Sequence, residues 1–337
     1  MMLVYRFRTM IPASNVTQRQ QYIAIGIFIT MADLPIIITG SYYFPVPFSS
    51  IVVGAFGCPA FLATWVYYEE KSIVRSQMKK PMCLMVGGYA ALTMHEAIEV
   101  LYTSQKGFPW NQYAISLLLP VVKFMLRKFQ MWVLKGSDGL GTTVIAFEVQ
   151  FFSSLYASVF MQNADNPITL LIIVLLDFSE NGYHLYKLVM LAKDQKKNIS
   201  KFSRELEYLL LFRTEKIVLF EFVEVCTPIM YGIYRVAIRN HPNFVYIKGL
   251  RDTPIEEFTA SIWNLAILAS LELLSFIIFL AVLQAKYGLP LFNQLGFTIE
   301  RYKGMIISTM SFWFLVATAA QMEHLGSDYT FQFGWLH

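Results

Sequence analysis

Long apolar stretches, separated by short polar segments, recur along the whole chain. Each is about 20 residues or longer, the length an α-helix needs to cross the roughly 30 Å hydrocarbon core of a bilayer. The pattern predicts nine spans, at residues 21–40, 48–68, 82–102, 112–134, 143–162, 167–191, 215–238, 258–283 and 298–320. The first two and the last are the least sharply defined, so eight spans is an alternative. We therefore predict an all-α, polytopic transmembrane helical bundle.

The amino-acid composition points the same way. The chain is 56% hydrophobic and only 15% charged, and its mean hydropathy is +0.48. A soluble domain has about 45–50% apolar and about 25% charged residues. The apolar excess predicts contact with a lipid bilayer. Because no stretch of useful length is left for a soluble unit, residues 1–337 are expected to form a single integral membrane domain.

Basic residues are distributed unevenly between the two sides of the predicted spans. With a cytoplasmic N-terminus, the inner segments hold 21 Lys and Arg residues and the outer segments hold 5. Lys and Arg collect on the cytoplasmic side of membrane proteins. The count predicts a cytoplasmic N-terminus and, for nine spans, an outer C-terminus. Since these residues only flank spans, no nucleic-acid partner is expected.

The longest predicted inner loop has a distinct composition. Residues 192–214 are basic at first and amphipathic afterwards. A basic amphipathic segment binds the anionic inner leaflet with its axis in the membrane plane. We therefore expect a short interfacial helix within this cytoplasmic loop.

Acidic residues are unusually frequent inside the predicted spans. A charge at the centre of a transmembrane helix costs about 2.5–3.5 kcal/mol on the insertion scale. These side chains must therefore face the bundle interior, pair with a cation or be protonated. They outnumber the buried bases, of which Lys123 lies at mid-depth. The acids are Asp33, Glu96, Glu99, Glu148, Asp177, Glu180, Glu221, Glu224 and Glu272.

The spacing of these polar residues predicts which helices face the interior. In the sixth span, polar residues recur at i, i+3, i+4 and i+7, which is one face of a helix: they are Asp177, Glu180, Asn181 and His184. The third span repeats the pattern with His95, Glu96 and Glu99, and the seventh with Glu221 and Glu224. Spans three, six and seven are thus expected to line a polar interior.

Three interpretations of that interior remain open. The first is a dry structural network, and the second is a hydrated path or pocket for a cation or protons. The third is a metal site. Its ligands would come from His95, Glu96, Glu99, Asp177, Glu180, His184, Glu221 and Glu224. The spacing does not match the Glu-x-x-His motif of bundle di-iron sites, and no catalytic or cofactor-binding motif is present.

We therefore predict a channel or transporter-like protein with an acid-rich interior and no cofactor. Its lining residues would be Glu99, Asp177, Glu180, His184 and Glu224, with Lys123 as the internal counter-ion. Asp177 and Glu180 would bind the cation or proton, and His184, with a reference pKa near 6.5, would confer pH dependence. The alternatives are a receptor or scaffolding subunit without transport, and a membrane-embedded metalloenzyme. Plasma membrane or endomembrane location, a homo-oligomer and a membrane partner are all compatible with this prediction.

Several stretches carry a family resemblance. They are LLLPVVKFMLRKF (117–129), FFSSLYASVFMQNA (151–164), FEFVEVCTPIMYGIYRVAIRNHPN (220–243), PLFNQLGFTIE (290–300) and DYTFQF (328–333). Together they resemble a large family of multi-pass membrane proteins from oomycetes, over roughly residues 115 to 333. The resemblance implies membrane class and lineage but no activity. Asp177 and Asn181 match the family's pattern, whereas Glu180 departs from it, which implies that Glu180 is a specialisation of this chain.

Overall fold

The described part of the chain is helical. The computed structural model describes residues 14–42, 49–69, 79–105, 108–133, 139–162, 203–247, 253–287 and 291–319, with positions 4, 46, 250, 251, 321 and 322 and several between 171 and 190. Within these residues the β-type pairing is confined to one isolated bridge, Ile247 with Met322. The predicted all-α class is confirmed.

The helices overlap the predicted spans. They are α1 (Gln18–Tyr42), α2 (Ser49–Val52), α3 (Cys58–Tyr68), α4 (Lys79–Ser104), α5 (Pro109–Ser116), α6 (Leu118–Val133), α7 (Gly139–Gln162), α8 (Ser203–Arg239), α9 (Ile255–Tyr287) and α10 (Leu291–Ala319). A π-helical turn, Val53–Gly57, joins α2 to α3. In the predicted span 167–191, the described residues are helical, Glu180 among them.

Helix length and surface composition indicate a membrane protein. Within the described residues, three helices are long and apolar enough to cross a bilayer: Gln18–Tyr42, Thr214–Arg239 and Ile255–Ala285. Large apolar side chains cover their outer surfaces, including Ile37 at 63% exposure and Trp263 at 66%. A soluble monomer rarely exposes apolar surface on this scale. Lipid is the medium that suits these helices.

The predicted span 112–134 is broken into two helices. α5 ends at Ser116 and α6 begins at Leu118, with a turn at Leu117 between them. Pro120 explains the break, because it has no N–H to donate to the Ser116 carbonyl and its ring crowds that group. Helix α6 therefore begins as a separate helix, which carries the buried polar residues described below.

A single helix, α8, replaces the expected arrangement of interfacial helix followed by span. It contains 37 residues and is therefore about 55 Å long. Residues 203–214, the described part of the predicted loop 192–214, are helical and continue into the span without interruption. That they lie along the membrane surface stays a prediction. This stretch contains no Gly or Pro that would end a helix. Residues 192–202 lie outside the described residues.

Helix α7 forms the centre of the bundle. It packs against α4, α6, α8, α9 and α10. Its aromatic side chains are fully buried, among them Phe147, Phe151, Phe152 and Phe160. Because α7 is surrounded on most sides, its polar residues also face other helices and not lipid.

Helices α4 and α7 approach each other closely at Gly88. A Cβ atom at this position would lie 2.6 Å from Glu148 Oε1 and 2.8 Å from the Trp313 ring. Only glycine fits there without displacing one of these buried side chains. By contrast, a Cβ atom at Gly232 in α8 would meet nothing within 4 Å.

We predict that Gly88→Ala destabilises the protein. Overpacking of a well-packed interior costs about 1–3 kcal/mol, which should lower the thermal unfolding midpoint in detergent. The control is Gly232→Ala, which adds the same methyl group in open space and should raise stability by up to about 1 kcal/mol through helix propensity. Equal midpoints for the two variants would contradict the close approach of α4 and α7.

Candidate functional site: a closed ring of buried charges

Helix α6 places two cations on its inner face. Lys123 and Arg127 are one helical turn apart, so their side chains lie on the same side of the helix. The Lys123 side chain is 6% exposed and that of Arg127 is 21% exposed. The opposite face carries Val121, Phe124 and Met125, which are exposed. The amphipathic sequence of α6 therefore turns both cations towards the bundle interior.

Two carboxylates meet these cations. Lys123 Nζ lies 2.7 Å from Glu180 Oε2 and 3.4 Å from Glu224 Oε1 on α8. Arg127 Nη1 donates to the other oxygen of Glu180. Each carboxylate thus accepts from the Lys123 ammonium, and Glu180 bridges both cations of α6.

Gln150, on the central helix α7, closes the arrangement. Arg127 Nη2 donates to Gln150 Oε1, and Gln150 Nε2 donates to Glu224 Oε1. Lys123, Glu180, Arg127, Gln150 and Glu224 therefore form a closed cycle of side-chain contacts, called the polar ring below. Two cations and two carboxylates make the ionised ring electrically neutral.

The closed geometry explains how charged groups are accommodated in this interior. Removing an ion from water costs several kcal/mol, which only well-placed partners can offset. Lys123 has two carboxylate partners, while the Gln150 amide separates Arg127 from Glu224 and hydrogen-bonds to both. Every member of the ring is held by two others, so the loss of one member affects the whole cycle.

A cavity of about 60 Å³ adjoins the polar ring. This is more than the roughly 10–15 Å³ that one water molecule needs when volume is measured in the same way. Lys123, Glu180 and Glu224 line one side, and α9 adds a third carboxylate, Glu272. Other lining residues are Ser116, Leu119, Pro120, Ser153, Ser154, Ala157, Leu176 and Leu268.

The lining of the cavity is rich in oxygen atoms. Three carboxylates and three hydroxyls face it from several helices, against the single ammonium of Lys123. Ser116 lies at the end of α5, where Pro120 cannot donate to its carbonyl. Carboxylate, hydroxyl and carbonyl oxygens are ligands for hard cations and acceptors for protons.

The structure brings some of the predicted lining residues together and separates another. Lys123, Glu180 and Glu224 meet in the polar ring. Glu99 does not join them, because it acts electrostatically on Tyr231, two helical turns beyond Glu224 on α8. Asp177 and His184 lie outside the described residues.

Sequence reasoning missed several members of the site. Arg127 is i+4 from Lys123, a spacing that was available in the sequence as a signal. Gln150 is uncharged, and Ser153 and Ser154 resemble the many small residues of membrane helices, so neither type stands out. Glu272 was recognised as an intramembrane acid, but nothing in its own sequence neighbourhood connected it with the other spans.

The predicted metal ligands are not gathered in the described structure. His95 is fully buried, its Nδ1 lies 2.7 Å from the Ala91 carbonyl oxygen, and its ring stacks on Tyr156 at 4.9 Å. Among the residues that the structure describes, no three His, Cys, Asp or Glu side chains are grouped so as to hold a metal ion. The described part of the metal-ligand set therefore forms no centre by itself; it comprises His95, Glu96, Glu99, Glu180, Glu221 and Glu224.

Comparison with known proteins identifies no relative. No protein-family model matches the chain, and no curated protein or solved structure matches it significantly. The site must therefore be interpreted from its own geometry.

We predict that Lys123→Met strongly destabilises the protein. Removing one partner of a buried ion pair costs about 3–5 kcal/mol, since the other charge stays buried. The control is Lys128→Met on the exposed face of α6, which should change stability by less than about 0.5 kcal/mol. The measurement is the unfolding free energy in detergent.

A double variant tests whether the effect comes from the ring. Adding Glu224→Gln to Lys123→Met removes one of the stranded carboxylates, so it should recover part of the lost stability. If the stability losses of the two single variants simply add in the double variant, the contact between Lys123 and Glu224 is not the cause of the destabilisation.

Proposed function

We propose that this protein moves protons or a small cation across a membrane through the cavity beside the polar ring. In this proposal the chain has nine spans, a cytoplasmic N-terminus and an outer C-terminus, and lies in the plasma membrane or an endomembrane. The family resemblance of residues 115–333 leads us to propose an oomycete lineage as well.

The observation that carries the proposal is the combination of charge and free volume. A structural network needs no empty space, yet about 60 Å³ adjoin Lys123, Glu180 and Glu224. This volume is lined by carboxylates and has room for water, a hydrated proton or a small cation.

Lys123 has a defined role in this proposal. Its ammonium occupies the acidic site as a tethered cation, at 2.7 Å and 3.4 Å from two carboxylates. An arriving proton or cation competes with it, because a carboxylate that is neutralised holds the ammonium less tightly. Binding of the transported ion thereby loosens the polar ring and couples occupancy to helix movement.

The direction of the helices supports the proposed topology. Gln150 of α7 bonds to Glu224 of α8, and further along both helices Gln162 bonds to Tyr231. The contacts advance in the same order, so α7 and α8 run in the same direction. A chain that enters the bundle twice in the same direction must cross back in between, and the predicted span 167–191 would supply that crossing. The excess of basic residues on the inner side then gives the orientation.

A receptor or scaffolding subunit is the second candidate. The observation in its favour is the completeness of the polar ring, in which both cations are paired within the protein. In that case the network only fixes helix packing, and the wild-type protein moves no ion. A lipid bilayer is the partner in both cases, and a homo-oligomer or membrane partner would add to either.

Amide substitutions test transport. Reconstituted in liposomes, Glu224→Gln and Glu180→Gln should each lower proton or alkali-cation flux by about tenfold or more, because intramembrane acids that handle ions are essential to the pathway. Flux is followed with a pH-sensitive or cation-sensitive dye inside the vesicles. Glu300→Gln, on an exposed position of α10, is the matched control and should leave flux unchanged.

Two outcomes would count against the proposal. Unchanged flux in a folded Glu224→Gln protein would remove the polar ring from the pathway. Absence of flux of every tested ion from folded wild-type protein would favour the receptor or scaffolding role.

Accessibility to water gives an independent test. In a background without the three native cysteines, single cysteines at Ser154 and Glu224 should react with small water-soluble thiol reagents, because both positions line the cavity. A cysteine at Leu219, buried in the apolar core of the same helix α8, should not react. Equal protection of all three positions in folded protein would mean that the cavity is closed to solvent.

A further inference from the structure

Polar residues line the interface between α7 and α8 over most of its length. On α7 they recur strictly at every fourth position: Gln150, Ser154, Ser158 and Gln162. On α8 they recur at every third or fourth position: Glu221, Glu224, Thr227, Tyr231 and Arg235. Such spacing keeps each set on one face of its helix. We call the two facing sets the polar seam.

Hydrogen bonds at both ends align the two faces. At the inner end, Gln150 donates to Glu224. At the outer end, Tyr231 Oη donates to Gln162 Oε1 at 2.7 Å. The fully buried Thr227 lies between these two levels on α8. The seam therefore begins at the polar ring and its cavity and continues towards the outer end of both helices.

The hydroxyls in the middle of the seam do not join the helices. Ser158 Oγ donates to the Ser154 carbonyl of its own helix at 2.8 Å, and Thr227 Oγ1 donates to the Val223 carbonyl at 2.7 Å. Both side chains are fully buried. A hydrogen bond between α7 and α8 therefore does not explain why Ser158 and Thr227 are hydroxyl residues. Each hydroxyl oxygen keeps lone pairs that can accept a proton.

The outer end carries balanced charges. Arg235 is buried. The Tyr231 hydroxyl lies within the electrostatic influence of both Arg235 and Glu99, which carry opposite charges. Gln321 Nε2 also donates to Tyr231 Oη, at 3.4 Å. One charge of each sign lowers the electrostatic barrier that a lone buried guanidinium would raise against a positive ion.

We propose that the polar seam is a proton path between the cavity and the outer end of α7 and α8, so that the transported ion is the proton. This inference rests on the proposed function and names its substrate. The seam is packed with buried side chains, and a metal cation would need a shell of about six oxygens that these cannot supply. A proton needs only a succession of oxygen atoms.

Proton movement along the seam leaves every group chemically unchanged. In this relay the Thr227 hydroxyl turns from the Val223 carbonyl and accepts the proton of Glu224, so the Glu224 O–H bond breaks as a new O–H bond forms on Thr227. Thr227 releases its own proton to Ser158 Oγ, Ser158 turns from the Ser154 carbonyl and releases its own to Tyr231 Oη, and Tyr231 then releases its own proton. Each hydroxyl afterwards rotates back. The last proton passes to water at the outer end, and the Glu224 carboxylate is ready to receive another from the cavity.

Variants of the seam hydroxyls test this path. In liposomes with an imposed pH gradient, Thr227→Val and Tyr231→Phe should each reduce proton flux by about tenfold or more, since each removes an oxygen or hydroxyl from the path while nearly keeping its shape. Thr227→Ser restores the hydroxyl and should restore flux. The matched control is Thr259→Val, because Thr259 bonds its own helix in the same way but is exposed.

Every outcome bears on the proposal. Unchanged proton flux in both seam variants, with flux still lost in Glu224→Gln, would overturn the seam and leave the proposed function intact. Potassium or sodium flux without proton flux would also overturn the seam as a proton path and leave the proposed function intact. Absence of all flux from folded wild-type protein would overturn both. Should Thr227→Val fail to fold, Ser158→Ala and Tyr231→Phe decide the question.

Discussion

The ammonium of Lys123, buried inside a bundle of apolar helices, is the constraint around which this structure is organised. An ammonium withdrawn from water needs strong acceptors close by. Glu180 and Glu224 supply them from two different segments of the chain. Because these carboxylates are themselves costly to bury, Arg127 and Gln150 are needed to complete the set. One buried charge thus fixes the relative positions of α6, α7, α8 and the segment around Glu180.

The helices differ in what they contribute to this arrangement. α6 supplies both cations, and its first turn, with Pro120, lines the cavity. α7 supplies a neutral amide at the centre, where a further charge would unbalance the ring. α8 supplies a carboxylate and a polar face that continues beyond the ring towards its C-terminal end. The exposed apolar surfaces of α1 and α9 suit contact with lipid.

Helical class and the location of most helices could be predicted from sequence, because lipid imposes a simple rule on length and hydropathy. The charged site residues Lys123, Glu180 and Glu224 were also predictable, since a charge inside an apolar run is conspicuous. Gln150 and Ser154 were not predictable, because neutral polar residues do not stand out from the many small and polar residues of membrane helices. The position of Glu99 near Tyr231 and away from the ring was not predictable, since spacing within one helix gives no depth relative to another helix.

The continuity of helix α8 has a consequence for how the chain can vary. Each residue turns an α-helix by about 100°, so one inserted or deleted residue between Glu221 and Arg235 would rotate all later groups onto another face. Arg235 would then leave its buried position, and Tyr231 would turn away from Gln162. A substitution affects one contact, whereas a change in length disrupts several at once. In α8 the number of residues between polar positions is therefore under stronger constraint than most of the side chains in between.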